Sequence, residues 1–139
     1  MATRVALVTH GILADALKKT AGIFFGPDAD EIIALGLSAE DSPEALSSEV
    51  EKVIREAYEE DGIIIFVDMV SGTPFNAVAM ALANLVESCP QIECFAGVNL
   101  PVLMEIFSNR VDTSFEELTK QAAEVFPRTF VDLRALLEI

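Results

Sequence analysis

The feature that most constrains the fold is a nearly continuous run of apolar, mostly β-branched residues at Gly62–Val67 (GIIIFV). A run of this kind is typical of a strand covered on both faces, because a strand with one wet face alternates apolar and polar residues. Three further apolar runs predict strands at Arg4–Thr9, Glu31–Leu37 and Ile92–Ala96. A sheet whose central strand is covered twice needs a helical layer on each side.

The segments between these runs carry helical periodicity. Apolar residues recur at helical spacing over residues 12–25, and Gly26-Pro27 ends that helix. Further helices are predicted to open at Ser42-Pro43, to run from Pro74 to about Glu87 and from Pro101 to Phe107, and to extend from the capping box Ser114-x-x-Glu117 to Phe126-Pro127.

Strands that alternate with helices predict an α/β fold, with an open, mostly parallel sheet and helices on both faces. The 139 residues are enough for one domain and show no linker or repeat, so residues 1–139 are predicted to form a single domain. Arg128–Leu133 is predicted to be a final strand.

Charge and composition exclude several classes of function. The formal net charge of −14 argues against a nucleic-acid binder and against docking on anionic lipid, since both need a basic surface. It is compatible with a protein partner that presents a basic face. The strongest apolar run, Ile63–Val67, is cut by Asp68, so no membrane span is expected.

The cysteines and the ligand-type residues indicate neither a disulfide framework nor a metal site. Cys89 and Cys94 are too few for either, and both are interpreted as buried thiols of a cytosolic protein. No metal ion and no cofactor are therefore expected.

His10, the only histidine in the chain, lies where the first strand ends, and Asp68 follows the third strand. In open parallel sheets, ligands bind outside the carboxyl ends of the strands, where the strand order reverses. If the order is 2-1-3-4, that point lies between the first and third strands. His10 and Asp68 would then face each other across one crevice.

The stretch after Asp68, Met69 to Asn76 (MVSGTPFN), predicts an anion site in the same crevice. Thr73 is expected to be the N-cap of the third helix, with Pro74 at its first position. Gly72 would allow a close backbone approach or a positive φ. The free N–H groups and the positive dipole end at this helix start would suit a phosphate, and the Thr73 hydroxyl would add a hydrogen bond.

A histidine, a carboxylate and an anion-binding helix start together suggest a phosphorylated histidine. The carboxylate would fix the imidazole tautomer and stabilise the positive charge that builds up on the ring. Each feature also has a structural interpretation: a core histidine, an aspartate that ends a strand, an ordinary helix start. Asn99 is interpreted as a turn residue at the same edge of the sheet.

Three segments carry a family resemblance: THG at 9–11, FVDMVSGTPFN at 66–76 and AGVNLPVLMEI at 96–106. Together they resemble the mannose-type IIA component of the bacterial sugar phosphotransferase system, from Arg4 to about Leu133. The resemblance implies the strand order 2-1-3-4. It also implies an antiparallel strand near the C-terminus, here Arg128–Leu133, that can be exchanged between the chains of a homodimer.

The resemblance further implies a cytoplasmic phosphocarrier. The phosphorylated carrier protein HPr would donate a phosphoryl group to His10, and His10 would pass it to the IIB component, which serves the membrane sugar-translocating components. Asp68 would orient and stabilise His10, and Gly72 and Thr73 would bind the phosphate. Gly11, Ser71 and Asn99 are candidate rim residues of the site. The sequence departs from the common family pattern at Val70, Ser71 and Val102.

Other classes of function stay open. A phosphohistidine subunit that feeds a dihydroxyacetone kinase shares the architecture and the N-terminal histidine. A receiver domain would be phosphorylated on Asp68, but it needs an acidic pair after the first strand, where this chain has Thr9-His10-Gly11. A flavin-binding domain would need more hydroxyl residues in that loop. A purely regulatory binding module is the last alternative.

Overall fold

The computed structural model describes residues 2–38 and 40–139 of the chain. Four parallel strands, β1 (Arg4–His10), β2 (Ile33–Leu37), β3 (Ile63–Val67) and β4 (Ile92–Ala96), form one sheet in the order β2-β1-β3-β4. The α-helices are α1 (Leu13–Phe25), α2 (Pro43–Ala57), α3 (Thr73–Leu85), α4 (Leu100–Asn109), α5 (Phe115–Val125) and α6 (Leu133–Leu137), with 3-10 helices at Gly26–Glu31 and Phe126–Arg128. The predicted α/β class and strand order are confirmed.

The central strand β3 is buried along its whole length. Its side chains alternate between two cores: Ile64 and Phe66 pack with α1, α4 and α5, whereas Ile63, Ile65 and Val67 pack with α2 and α3. The apolar run that predicted a doubly covered strand therefore serves a helical layer on each side of the sheet.

The strand register places the first and third strands so that their ends meet. Val8 of β1 pairs with Val67, the last residue of β3. β1 continues for two residues beyond that point and ends at His10, which pairs with Leu37 of β2. The end of β1 and the residue after β3 thus reach the same edge of the sheet.

The C-terminal segment differs from the prediction. Residues 128–133 form no strand: Phe126–Arg128 is a 3-10 turn, and α6 begins at Leu133. A strand needs a paired neighbour, and here the Thr129 hydroxyl instead donates to the Phe126 carbonyl, at 2.7 Å, and closes a turn. Phe130 is 95% exposed. The exchange of this segment between two chains stays a prediction.

Several boundaries also shift. Glu31 and Ile32, predicted to begin the second strand, precede β2, because a 3-10 helix extends to Glu31. Ser114 accepts a hydrogen bond from the Glu117 backbone N–H at the start of α5, as the capping box predicted. No helix within 2–38 and 40–139 has the length and apolar character to cross a bilayer.

Candidate phosphoryl-transfer site

His10 and Asp68, 58 positions apart in the sequence, are in direct contact at the carboxyl edge of the sheet. The His10 ring atom Nδ1 lies 2.7 Å from Asp68 Oδ2. The His10 backbone N–H donates to the same oxygen at 2.9 Å. One carboxylate oxygen therefore holds both the ring and the main chain of the histidine. The predicted juxtaposition of these two residues across the crevice is present.

The carboxyl group of Asp68 is suited to stay ionised. Burial acts to raise the pKa of Asp68, but hydrogen bonds from the backbone and ring of His10, together with the charge of His10, outweigh it and hold that pKa below its ordinary value. The second oxygen, Oδ1, is buried with no hydrogen-bond partner among the residues described. An ionised Asp68 can only accept from Nδ1, so the proton of the neutral ring sits on Nδ1 and Nε2 keeps its lone pair.

Gly72 lies against the other side of the imidazole. Its φ is 105°, and a Cβ placed there would be 3.2 Å from His10 Cε1 and 3.4 Å from Nε2. Both reasons for a glycine, a positive φ and a close approach, apply at this position. Nε2 and its lone pair therefore lie beside Gly72, the residue that precedes α3.

The predicted cap of α3 is wrong by one residue. Gly72, not Thr73, occupies the N-cap, and its carbonyl accepts from the Asn76 backbone N–H at 3.0 Å. The positive φ of Gly72 completes the turn, so Thr73 is already the first helical residue and Pro74 the second. No side chain caps this helix in the described structure. The N–H groups of Thr73 and Phe75 in the first turn therefore have no side-chain cap.

The candidate rim residues occupy different environments. Ser71 is exposed and has a φ of 60°, a left-handed conformation that is costly for a residue with a Cβ. Gly11, with a φ of 53°, follows His10 and donates its N–H to the Leu37 carbonyl at 2.8 Å. Gly11 follows His10 in the chain, and Ser71 precedes Gly72, which lies against the ring. The place of Ser71 and Gly11 at the rim of the site stays a prediction.

Asn99 has a structural role that the sequence did not predict in detail. Its Oδ1 accepts from the Val102 N–H at 2.9 Å as the N-cap of α4, and its Nδ2 donates to the Thr129 hydroxyl at 2.6 Å. The side chain thereby ties the start of α4 to the C-terminal segment. Its place as a rim residue stays a prediction.

Gly36, in β2, belongs to none of the sequence motifs that predicted the site. A Cβ at this position would overlap the carbonyl oxygen of Gly11. The turn after His10 therefore rests directly on the backbone of β2, and only glycine leaves room for it. The sequence signal was a glycine inside a strand, which often marks a close approach of another backbone.

Exposed apolar side chains lie on the two segments that follow β1 and β3. Ile12, which is 81% exposed, and Leu13 follow His10, and the exposed Met69 and Val70 follow Asp68. Apolar groups that cluster in this way around a polar site are typical of a surface that contacts another protein.

Comparisons with known proteins identify the family. Residues 4–123 match the family model described as "PTS system fructose IIA component" (EIIA-man). The chain is 28% identical over 126 residues to the "PTS system fructose-specific EIIA component" of Bacillus subtilis, which covers 91% of this chain and 83% of that protein. It is 30% identical over 125 residues to the "PTS system mannose-specific EIIAB component" of Escherichia coli, which covers 89% of this chain but only 37% of the relative.

A solved structure agrees in fold. The mannose/sorbose-specific IIA subunit of the phosphotransferase system from Enterococcus faecalis superposes with a TM-score of 0.80, at 22% identity, over 95% of each chain. The family match spans the whole sheet and the elements that carry His10, Asp68 and Gly72. The chain therefore belongs to the mannose-type family of IIA components of the bacterial sugar phosphotransferase system.

Proposed function

We propose that this protein is a phosphohistidine carrier that accepts a phosphoryl group on Nε2 of His10 from phospho-HPr and passes it to a IIB component. The observation that carries the proposal is the shared use of Asp68 Oδ2 by the ring and backbone of His10. This contact occupies Nδ1 and leaves Nε2 as the nucleophile, beside the start of α3.

The transfer step follows from these positions. The Nε2 lone pair attacks the phosphorus of the donor phosphohistidine, the new N–P bond forms, and the N–P bond of the donor breaks with its electron pair leaving on the donor imidazole. Positive charge grows on the His10 ring, whose proton stays on Nδ1, and the Asp68 carboxylate stabilises it. Such transfers depend mainly on positioning and charge stabilisation.

The start of α3 would hold the phosphoryl oxygens. The uncapped N–H groups of its first turn, the positive end of its dipole and the Thr73 hydroxyl all suit an anion with several oxygens. Gly72 gives the phosphoryl group access to these donors, because a side chain there would crowd Nε2.

The surroundings of His10 fit protein partners. Ile12, Leu13, Met69 and Val70 offer an apolar contact surface around the reactive nitrogen. The net charge of −14 would steer a donor with a basic face toward the protein. The acceptor would use the same surface after the donor has left, since both must reach Nε2. Through the IIB component, the phosphoryl group would serve sugar uptake by the membrane components.

A homodimer is part of the proposal. β4 is an edge strand of the sheet, and Phe130 and Val131, in the segment predicted as a strand, are exposed. An open strand edge pairs readily with another chain. Residues 128–133 of one chain would then add to the sheet of a second copy.

The test is phosphoryl transfer in a defined mixture. The protein is incubated with phosphoenolpyruvate, enzyme I and HPr, and we expect a mass gain of one phosphoryl group that acid removes. His10 is the only histidine, so a phosphohistidine signal identifies the residue directly, and His10→Ala is expected to lose it. ³¹P and ¹⁵N NMR then locate the phosphoryl group on Nε2.

Two results would refute this function. One is the absence of any transfer from HPr to the folded protein. The other is an acid-stable, magnesium-dependent phosphoryl group on Asp68, which would indicate a receiver. Transfer onward to the nucleotide-binding subunit of a dihydroxyacetone kinase, rather than to IIB, would place the same chemistry in a different pathway.

A further inference from the structure

The helix that follows His10 begins without a cap of its own. Ile12 occupies the N-cap of α1 and has no side-chain group that can accept a hydrogen bond. Several other helices use their own N-cap side chains, which bind the N–H group three residues on: Ser42, Asn99, Ser114 and Asp132. The first turn of α1 must therefore find its acceptor elsewhere.

That acceptor is Thr9, the residue before the histidine. Thr9 is 0% exposed. Its Oγ1 accepts from the Ala14 backbone N–H at 2.8 Å, five residues along the chain. The same hydroxyl donates to the His10 carbonyl at 3.2 Å. A hydroxyl has one donor and two acceptor positions, so both hydrogen bonds form at once.

These contacts place His10 between two fixed side chains. Asp68 Oδ2 holds its N–H and ring, and the Thr9 hydroxyl holds its carbonyl. Because Thr9 also anchors the start of α1, the turn of residues 10–13 is closed on a single oxygen atom.

We propose that Thr9 is a positioning residue, whose hydroxyl fixes the backbone of His10 so that Nε2 stays aligned with the start of α3. The proposal rests on the proposed function for its kinetic consequence, but not for its structural one. Without the hydroxyl, the Ala14 N–H loses its acceptor and the His10 carbonyl is released. The ring then samples orientations in which its contact with Asp68 is broken.

The chain offers a matched control at the other end of the same strand. Thr3, which is 1% exposed, lies just before β1, and its hydroxyl donates to the Asp61 carbonyl at 2.9 Å. Thr3→Val and Thr9→Val each remove one buried hydroxyl and keep the side-chain volume. Thr3 has no part in the site, so its variant measures the general cost of such a loss.

The first measurement is the rate of phosphoryl transfer from phospho-HPr. We expect Thr9→Val to slow it roughly 10- to 100-fold, as a small misplacement of a reacting group does. Thr9→Ser keeps the hydroxyl, and its transfer rate is expected to stay within about threefold of that of the unmodified protein. A threefold change in rate corresponds to less free energy than one ordinary hydrogen bond contributes. Thr3→Val is expected to leave the rate unchanged.

The second measurement needs no phosphoryl donor. In ¹H–¹⁵N NMR of the histidine ring, the Nδ1 proton that bonds Asp68 should be sharp in the unmodified protein and in Thr3→Val and Thr9→Ser. It should be broadened or lost in Thr9→Val. If the unmodified protein accepts no phosphoryl group, the proposed function fails, and this spectrum still decides the role of Thr9.

Equal rates and equal ring spectra for Thr9→Val and Thr3→Val would overturn the proposal and leave Thr9 as a helix cap only. A slow but folded Thr9→Ser would also overturn it, because the methyl group rather than the hydroxyl would then matter. Should Thr9→Val fail to fold, Thr9→Ala, which removes the hydroxyl without adding a second γ-methyl group, takes its place in both measurements.

Discussion

Asp68 and His10 are joined twice through one atom: Oδ2 of Asp68 receives both the ring Nδ1–H, at 2.7 Å, and the backbone N–H, at 2.9 Å. A ring held only at its tip could still rotate about its side-chain torsions. Here the backbone N–H of His10 keeps its hydrogen bond to Asp68 even if the ring rotates away. The carboxylate therefore stays in position to receive Nδ1 again and to fix the direction of Nε2.

Removal of the Asp68 carboxylate should slow transfer without removing the acceptor nitrogen. Asp68→Ala is expected to lower the rate roughly 10- to 100-fold, the value of a hydrogen bond to a charged group. Asp68→Asn still offers an amide oxygen to both N–H groups but carries no charge. Its transfer rate should therefore lie between the rates of Asp68→Ala and of the unmodified protein. Rapid-quench phosphorylation measures all three, and equal rates would reduce Asp68 to an anchor for the loop.

The same contact makes stability depend on pH. The pKa of Asp68 is lowered in the folded state, so its contribution is present above the pKa of the unfolded chain and is lost as pH falls through the folded value. The difference in unfolding free energy between the unmodified protein and Asp68→Ala should therefore shrink below about pH 4. Urea unfolding at pH 7 and pH 3 measures it; a difference that grows on acidification would contradict the assignment.

Thr73→Ala should affect transfer more than stability. Thr73 does not cap α3, so its loss is expected to change the unfolding free energy by less than the roughly 0.5–2 kcal/mol of a true cap. Its hydroxyl is expected to bind the phosphoryl oxygens, so its loss should raise the activation free energy of transfer by about 1–3 kcal/mol. Ser42→Ala, which removes the cap of α2, is the matched control and should show the opposite pattern. An unchanged transfer rate in Thr73→Ala would assign the phosphate contacts to backbone groups alone.

Gly36→Ala should disturb the site from the neighbouring strand. The added Cβ would overlap the Gly11 carbonyl, so the turn after His10 must shift, and a shift of about 1 Å costs up to roughly 100-fold in rate. Gly22→Ala in α1 is the control, because its Cβ would meet only Ala29 Cβ, at 3.9 Å. That variant should be more stable by about 0.5–1 kcal/mol with the same transfer rate. Unfolding curves and transfer assays on both decide the point.

The C-terminal segment should control the oligomeric state. We expect the full chain to be a dimer in sedimentation experiments, and a chain that ends at Pro127 to be a monomer that still accepts phosphoryl groups. The exposed Phe130 and Val131 would be covered in the dimer. A monomeric full chain would show that the segment stays on its own protomer, where the Thr129 hydroxyl closes a turn with the Phe126 carbonyl.

The sequence predicted the sheet well because each strand carries its own local pattern. The run at Gly62–Val67 predicted double burial, and β3 is buried at every position. The strand order was first an assumption and was then implied by the family resemblance, since periodicity does not say which strands are neighbours. The pairing of His10 with Asp68 then followed from that order.

The misses share a physical reason, which is that they depend on contacts between elements. Residue preferences favour Thr73 over Gly72 as a cap, but the imidazole beside Gly72 and its positive φ decide otherwise. Gly36 matters only because the turn at Gly11 lies over it. Arg128–Leu133 has strand-like residues, yet in this structure the segment pairs with no strand, because Phe126–Arg128 and Thr129 close a turn.

The parallel register of β1 and β3 has a consequence for how the protein can fail. Val8 pairs with Val67 across the ladder, and a slip of one strand by one residue would turn the side chains of that strand toward the wrong core. Such a chain could stay compact and helical, yet its histidine and aspartate would no longer meet. The fraction of molecules that take up a phosphoryl group would then equal the fraction with the correct strand register. Circular dichroism of the same sample would not distinguish the two registers.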